Sequence, residues 1–425
     1  MARSDTPELL RRRAAERFDA GDCRGALEDY AALIAREPSP AAFVNRGYCE
    51  LTLGDRAAAQ SSFKAALALH PQMAEALVGM GDASAARDEH ADAVRHYDAA
   101  LAARPGFALA RNNRAQSRLA LGQLRAALED AESRYEASAA LSLYPHRLAL
   151  PRWRGEPDKR VLVHWEQGYG DMIQFLRYLP CLARRRIDAV FECPPPLTRL
   201  VAHMPGAPRW IAARHEAPDP AGFDACLPLL SLPLLLGGRW QDVPAPPYLT
   251  ADERAAARLA AAWRKPDANP RTGDTAPAGR TGIVWRASGF DASRSASLQS
   301  MLELAGAGVR LVSLQTGLSD DERGMLARHG VPDAGSDFGD FRDTAAALAA
   351  VDRLITVDTA TAHLAGALNR PAWLMLNQPA ATRWMLGRED SPWYPAMRLF
   401  RKRNDEPWDA LLARLRAALA RESSG

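Results

Sequence analysis

Lysine is scarce in this chain: four of its 425 residues, Lys64, Lys159, Lys265 and Lys402, leave nearly all of the 54 basic side chains to arginine. A surplus of charge is also missing. The formal net charge is +3, and the basic residues are interspersed, so nothing argues for a nucleic-acid surface. Long apolar runs are absent too. The most apolar stretch, Cys226–Leu236, is interrupted by Pro228 and Pro233 and falls far short of the roughly 20 residues of a spanning helix. Residues 1–7 lack the apolar core of a signal peptide. The five cysteines show no C-x-x-C spacing, which predicts a reducing, cytoplasmic setting with the thiols packed as small hydrophobes. Tryptophan is missing before residue 150, although ten follow it, and this break divides the chain. What remains is 47% hydrophobic and 25% charged, an ordinary globular composition with length for about three domains.

Residues before the break repeat. Pro38, Pro71 and Pro105 recur at the tetratricopeptide period of about 34. Ahead of each proline stand a small residue (Ala26, Ala59, Ala93) and an aromatic (Tyr30, Phe63, Tyr97). Gly21, Gly54 and Gly122 open inter-helix turns, and Gly47 and Gly81 occupy close-packing positions in first helices. Small residues admit the neighbouring helix, aromatics fill the groove, and proline ends the second helix. A fourth unit, Arg111–Tyr135, keeps Gly122 and Ala127 without the aromatic or the proline. Such a stack suits an extended peptide. Asn45 and Asn113 are the candidate peptide-binding residues, with Arg12 and Gly79 at the equivalent places in the other repeats.

After the break, the chain turns on Arg160–Tyr178. Val161–Trp165 reads as a buried strand, Glu166-Gln167-Gly168-Tyr169-Gly170 as a tight turn, and a helix follows with Asp171 as a favourable N-cap. Strand, glycine turn and helix open a doubly wound α/β domain, whose ligands bind at the carboxyl ends of the strands. Neither G-x-G-x-x-G nor a Walker lysine is present. Asp188–Cys193, Arg209–Ala212 and Asp224–Leu227 read as further strands, and Leu197–Met204 and Ala251–Arg264 as helices. Lys265–Arg280 is a Pro/Gly/Thr-rich linker. In the second half, Gly282–Trp285, Val309–Gln315 and the run from Leu354 are strands, and Leu354–Leu368 passes from strand into helix through Asp358 and Thr359.

The run E-Q-G-Y-G-D-M-I-Q-F-L-R-Y resembles bacterial proteins that fuse tetratricopeptide repeats to a glycosyltransferase domain of the ADP-heptose:lipopolysaccharide heptosyltransferase family (glycosyltransferase family 9). The resemblance spans about Pro151 to Leu415 and includes D-F-R-D-T before a helix and D-T-A-T-A-H-L-A-G-A-L. It implies a GT-B fold, with Rossmann-like domains at 141–264 and 281–425, the linker at 265–280 and the repeats at 1–140. It implies an inverting, metal-independent transfer from a nucleotide-sugar, with no cofactor, since a helix dipole and cations can stabilise a leaving diphosphate. Asp171 matches the family's proposed general base. Glu166, Gln167, Gly168 and Gly170 would orient the acceptor. Arg286, Arg294, Ser295, Gln315, Asp358, Thr359, Thr361 and His363 would bind the donor. The loop Arg286–Ser295 lacks the lysine and Asn-Pro turn usual there, leaving Arg286 or Arg294 for the pyrophosphate. The expected partners are a nucleotide-sugar and a protein recruited by the repeats. The alternatives are a non-catalytic adaptor carrying a decayed transferase domain, or a nucleotide-sugar epimerase.

Overall fold

The structure, a computed structural model, describes residues 6–137, 148–214, 216–263, 279–287, 292–403 and 406–423. Most of the linker 265–280, part of the connector before β1 and the loop positions 288–291 lie outside the described residues. The chain divides into two compact units, Met1–Leu141 with Ala381–Leu386, and Ser142–Ala380 with Gly387–Gly425.

The first unit is a helical repeat stack: α1 (Pro7–Asp19), α2 (Cys23–Arg36), α3 (Pro40–Thr52), α4 (Arg56–Leu69), α5 (Ala74–Ala85), α6 (His90–Ala103), α7 (Ala108–Ala120), α8 (Leu124–Ala131) and a short α9 (Arg134–Ala137). Each second helix of the first three pairs ends two residues before its proline, as the steric demand of an X-Pro step requires. Ala26, Ala59 and Ala93 are fully buried, and Tyr30, Phe63 and Tyr97 are almost so. A Cβ on Gly47 or Gly79 would lie within 2.8 Å of the Phe63 ring, and one on Gly81 within 2.5 Å of Tyr97. Those glycines exist to make room for the rings. In the third pair the left-handed turn position is Asp88 (φ 61), where the other pairs have glycine.

The segment Ala381–Leu386 belongs with the repeats, a departure from the boundary expected at residue 140. Leu386 N–H donates to the Ala120 carbonyl at 3.1 Å, and Thr382 Oγ1 donates to Gln116 Oε1 at 2.8 Å. Trp384 beside them is 1% exposed. The chain thus enters the repeat unit twice.

The second unit holds two parallel sheets. The first has order β3-β2-β1-β4, from β1 (Arg160–His164), β2 (Asp188–Cys193), β3 (Arg209–Ala212) and β4 (Ala225–Pro228). Around it lie α10 (Tyr169–Leu176), α11 (Leu179–Arg184), α12 (Thr198–Val201) and α13 (Leu232–Leu235), whereas α14 (Glu253–Ala262) packs against a helix of the second half, Phe341–Ala350. The second has order β6-β5-β7-β8-β9, from β5 (Arg280–Val284), β6 (Arg310–Ser313), β7 (Arg353–Val357), β8 (Ala372–Leu376) and β9 (Met397–Arg401). Its helices are α15 (Leu298–Leu302), α16 (Asp320–Arg328), α17 (Phe341–Ala350), α18 (Ala360–Ala367) and α19 (Trp408–Ser423). The central strands of both sheets are near-continuous buried apolar runs, as parallel sheets covered on two faces require, while the edge strand β3 is exposed. Among the described residues no helix is long and apolar enough to cross a membrane.

The two sheets meet through α10 and α18. Arg177, following α10, is 1% exposed and has no carboxylate partner among the described residues. Its guanidinium donates to the carbonyls of Gln174 (2.8 Å), Pro244 (3.2 Å) and Trp393 (3.1 Å) and to Tyr248 Oη (3.3 Å). The Tyr248 and Tyr394 rings lie 4.7 and 4.9 Å away. The arginine of the R-Y motif end therefore fastens the first sheet to Trp393 and Tyr394 of the second.

Candidate functional site

A cavity of about 250 Å³ opens at the carboxyl ends of β5, β6 and β7, where the strand order of the second sheet reverses. Doubly wound sheets bind their ligands in this position. Its walls include Arg286, Gln315, Thr359 and Thr361 from the second half, and Tyr169 and Pro196 from the first. At one side, the Tyr169 and Phe341 rings sit 5.4 Å apart. Beside them, Arg199 bridges from the first half to Asp340 (3.1 Å) and Asp343 (3.2 Å) of the second.

The floor is the passage from β7 to α18. Thr359 is extended (φ −141, ψ 168) and caps α18, its hydroxyl accepting from Ala362 N–H at 3.4 Å. The first residues of the helix, Ala360 and Thr361, face the cavity. An anion at such an N-terminus gains about 0.3–1 kcal/mol, up to about 2 when partly buried. Asp358 is set back, 7% exposed, with its Oδ1 3.9 Å from His363 Nε2. His363 is also buried, its Nδ1 3.0 Å from Tyr394 Oη. In place of the diphosphate contact expected of it, His363 joins α18 to Tyr394.

The glycine turn of the first half comes up against this helix. Its strained residue is Gln167, at φ 61, and not one of the two glycines. Gly168 is the N-cap and α10 starts at Tyr169, so Asp171 lies inside the first turn, which corrects the N-cap expected of it. It is half-buried there, favourably placed for the helix dipole. A Cβ on Gly170 would stand 2.8 Å from His363 Cδ2, so the second glycine is needed for the close approach of the two helices. Glu166 differs from the acceptor-orienting role expected: it is fully buried, and its Oε1 accepts from Leu230 N–H at 3.0 Å. That bond ties the end of β1 to the turn after β4.

Two of the expected donor contacts are committed elsewhere. Gln315 is 6% exposed, and its Oε1 accepts from the N–H groups of Trp285 (3.2 Å) and Arg286 (2.9 Å), closing the end of β5 onto β6. Arg286 pairs with Glu322 at 2.7 Å and donates to the Gly317 carbonyl at 2.6 Å. Burial pushes the Glu322 carboxyl up, but the Ser319 N–H, Arg286 and Trp285 together hold it below its ordinary value. Ser295 accepts from Ala287 N–H at 3.2 Å and so shapes the loop whose middle lies outside the described residues; Arg294 ends the short turn Ala292–Arg294.

In the repeats, Asn113 is likewise engaged. Its Nδ2 donates to Asp82 Oδ1 at 2.9 Å, beside Tyr97 Oη at 2.7 Å and Tyr48 Oη at 3.4 Å on the same carboxylate. Burial raises the Asp82 carboxyl above its ordinary value despite these donors. Asn45 lies beside Tyr30: burial pushes the Tyr30 hydroxyl up and Asn45 draws it down. Asn113 therefore serves an inter-helix network, in place of the peptide contact expected of it. Sequence reasoning missed Tyr169, Phe341 and Tyr394, although the first two stand inside the E-Q-G-Y-G-D and D-F-R-D-T motifs.

Comparison with known proteins bears out the repeats. The tetratricopeptide repeat family matches residues 11–59 and 50–106. Protein FlbA of Caulobacter vibrioides is 27% identical over 417 residues, covering 84% of this chain and 68% of that protein. Among solved structures, MamA from Desulfovibrio magneticus is 22% identical over 32% of this chain and 78% of its own, with a TM-score of 0.29. The first tetratricopeptide domain of Spaghetti (RPAP3), solved with an HSP90 peptide, is 24% identical over 28% of this chain and 96% of its own, with a TM-score of 0.27. The N-terminal region is thus a tetratricopeptide-repeat array, followed by an α/β region with parallel sheets.

Proposed function

We propose that the second unit is a GT-B glycosyltransferase that moves a sugar, with inversion, from a nucleotide-sugar to an acceptor protein recruited by the repeats. The observation that carries this reading is the meeting of the two halves at α18. The Thr359–Thr361 helix start lines a cavity at the switch point, and the Asp171 turn of α10 packs against the same helix through Gly170. The donor diphosphate would rest on the α18 N–H groups and the Thr359 and Thr361 hydroxyls, which neutralise leaving-group charge without requiring a metal. Asp171 would take the proton from the acceptor hydroxyl as it attacks the anomeric carbon. Tyr169 and Phe341 would close over the sugar or nucleoside.

Asp171→Asn is the decisive substitution. It keeps the size and helix placement of the side chain and removes its basicity, so turnover should fall about 10²–10⁴-fold while donor affinity is unchanged. Transfer or slow donor hydrolysis by mass spectrometry, alongside calorimetry with nucleotide-sugars, reads both. A rate within about threefold of wild type, with chemistry limiting, would remove Asp171 from the mechanism. One observation favours the adaptor reading instead: Arg286 is tied to Glu322 and Gly317, and the loop lacks a lysine. Failure of a nucleotide-sugar panel to shift the melting temperature would favour that reading.

A further inference from the structure

A second and larger concavity, about 530 Å³, lies at the β9 edge of the second sheet, between β9, the segment 387–389 and α19. Of its thirteen lining residues seven are cationic and one, Glu389, is anionic, in a chain whose whole excess of charge is +3. Three of the seven are neutralised locally: Arg388 by Asp390 (2.7 Å), Arg398 by Glu389 (3.2 Å) and Arg414 by Glu406 (2.6 Å). Arg401 donates to the Arg388 carbonyl at 3.3 Å, which holds the 387–389 segment over the end of β9. Lys402 and Arg421 have no ion-pairing carboxylate among the described residues; Arg403 meets Glu406 through its backbone N–H (2.7 Å) and keeps an exposed guanidinium, while that carboxylate is shared with Arg414. The Lys402 ammonium rests 5.3 Å from the Trp408 ring centroid, which fixes it without discharging it.

We propose that this groove binds a ligand carrying at least two phosphate groups, at a site separate from the cavity over α18. The reasoning is electrostatic and geometric. Like charges gathered in a concave surface repel, and a polyanion relieves that repulsion. Guanidinium forks match phosphate oxygens bidentately, and arginines supply six of the seven cations. The groove is too polar to serve as an apolar docking face. β9 is separated from β7 by β8, so the groove stands roughly 10 Å or more from the α18 start, two strand spacings away. One diphosphate cannot serve both. The phosphates could belong to a free polyphosphorylated metabolite or to the headgroups of an anionic lipid, and the two sources are separable by experiment.

The test titrates the full chain with inorganic tripolyphosphate by calorimetry, for wild type, the doubly substituted Arg403→Glu/Arg421→Glu protein, and Thr361→Val. Both arginines are exposed, so the double variant should fold as wild type does. Saturable binding that the double variant weakens at least tenfold, and Thr361→Val leaves intact, supports the groove. A nucleotide-sugar should still shift the melting temperature of the double variant, so the reading of the α18 cavity stands or falls on its own. Sedimentation with phosphatidylglycerol vesicles, against phosphatidylcholine controls, then assigns the source: vesicle binding that tripolyphosphate competes away identifies lipid headgroups, and its absence identifies a soluble metabolite. No saturable tripolyphosphate binding, or binding indifferent to Arg403→Glu/Arg421→Glu, would overturn the proposal.

Discussion

The repeats and the sheets bury ionic groups by opposite means. In the first repeat Asp29, 2% exposed, is gripped by Arg13 and Arg17; in the fourth, Asp130 is held by Arg114 (2.7 Å) and Arg118 (2.8 Å) in the same arrangement. Each carboxylate sinks between helices while its arginines reach water. In the sheet unit a buried cation, Arg177, has as its partners three carbonyls, a hydroxyl and aromatic faces. The first solution is local and can be repeated every helix pair. The second gathers groups from five places in the chain around one cation, and makes the join between two sheets depend on it.

Arg177→Met should therefore have the largest effect. It leaves several buried acceptors without a donor, each costing about 1–3 kcal/mol, so a total loss of roughly 3–5 kcal/mol is expected. Urea unfolding followed by tryptophan fluorescence reports mainly on this unit, since nine of the ten tryptophans lie in it and only Trp384 belongs with the repeats. A loss below about 1 kcal/mol would show that the rings alone hold the sheets together. Trp384→Ala comes next, at about 3–5 kcal/mol for a buried aromatic, softened if the segment can collapse. Its mark should be a loss of amide protection in α7, far away in sequence; protection lost only in β8 and β9 would assign Ala381–Leu386 to the sheets instead.

The smallest effect belongs to Asp29→Asn, about 1–2 kcal/mol at neutral pH, because its arginines stay partly solvated. Arg13 first, then Arg17, hold the Asp29 carboxyl below its ordinary value of 3.8. A depressed carboxylate stabilises the fold above its unfolded pKa and loses that contribution as pH falls through the folded value. Thermal melts from pH 5 downward should thus begin to converge for wild type and variant only below about pH 4, and meet once pH is below the depressed folded value. Parallel curves would mean that the pair contributes nothing specific.

The repeats were legible because their pattern is a packing pattern: Phe63 and Tyr97 at fixed spacing have their counterparts in Gly47, Gly79 and Gly81. The strands were legible for a similar reason, as buried runs bounded by turns. The side-chain roles were less so. Gln315, Arg286 and Asn113 look like ligand contacts in one dimension, yet each is claimed by a neighbour the sequence does not advertise: the end of β5, Glu322 and Asp82. The Asp171 cap was misplaced by three positions because the turn takes its left-handed residue at Gln167, which a glycine count does not foresee. Nothing in Ala381–Leu386 itself announces that it lies with helices near residue 120.

That segment also imposes an order of events on synthesis. The repeats leave the ribosome early, and α7 is complete long before Leu386 exists to bond Ala120. At about 5–20 residues per second the intervening stretch takes roughly 15–50 s to make. For that time the surface that Trp384 and Met385 will cover stands open on the nascent chain. The solenoid is finished only when the penultimate strand of the second sheet has been translated.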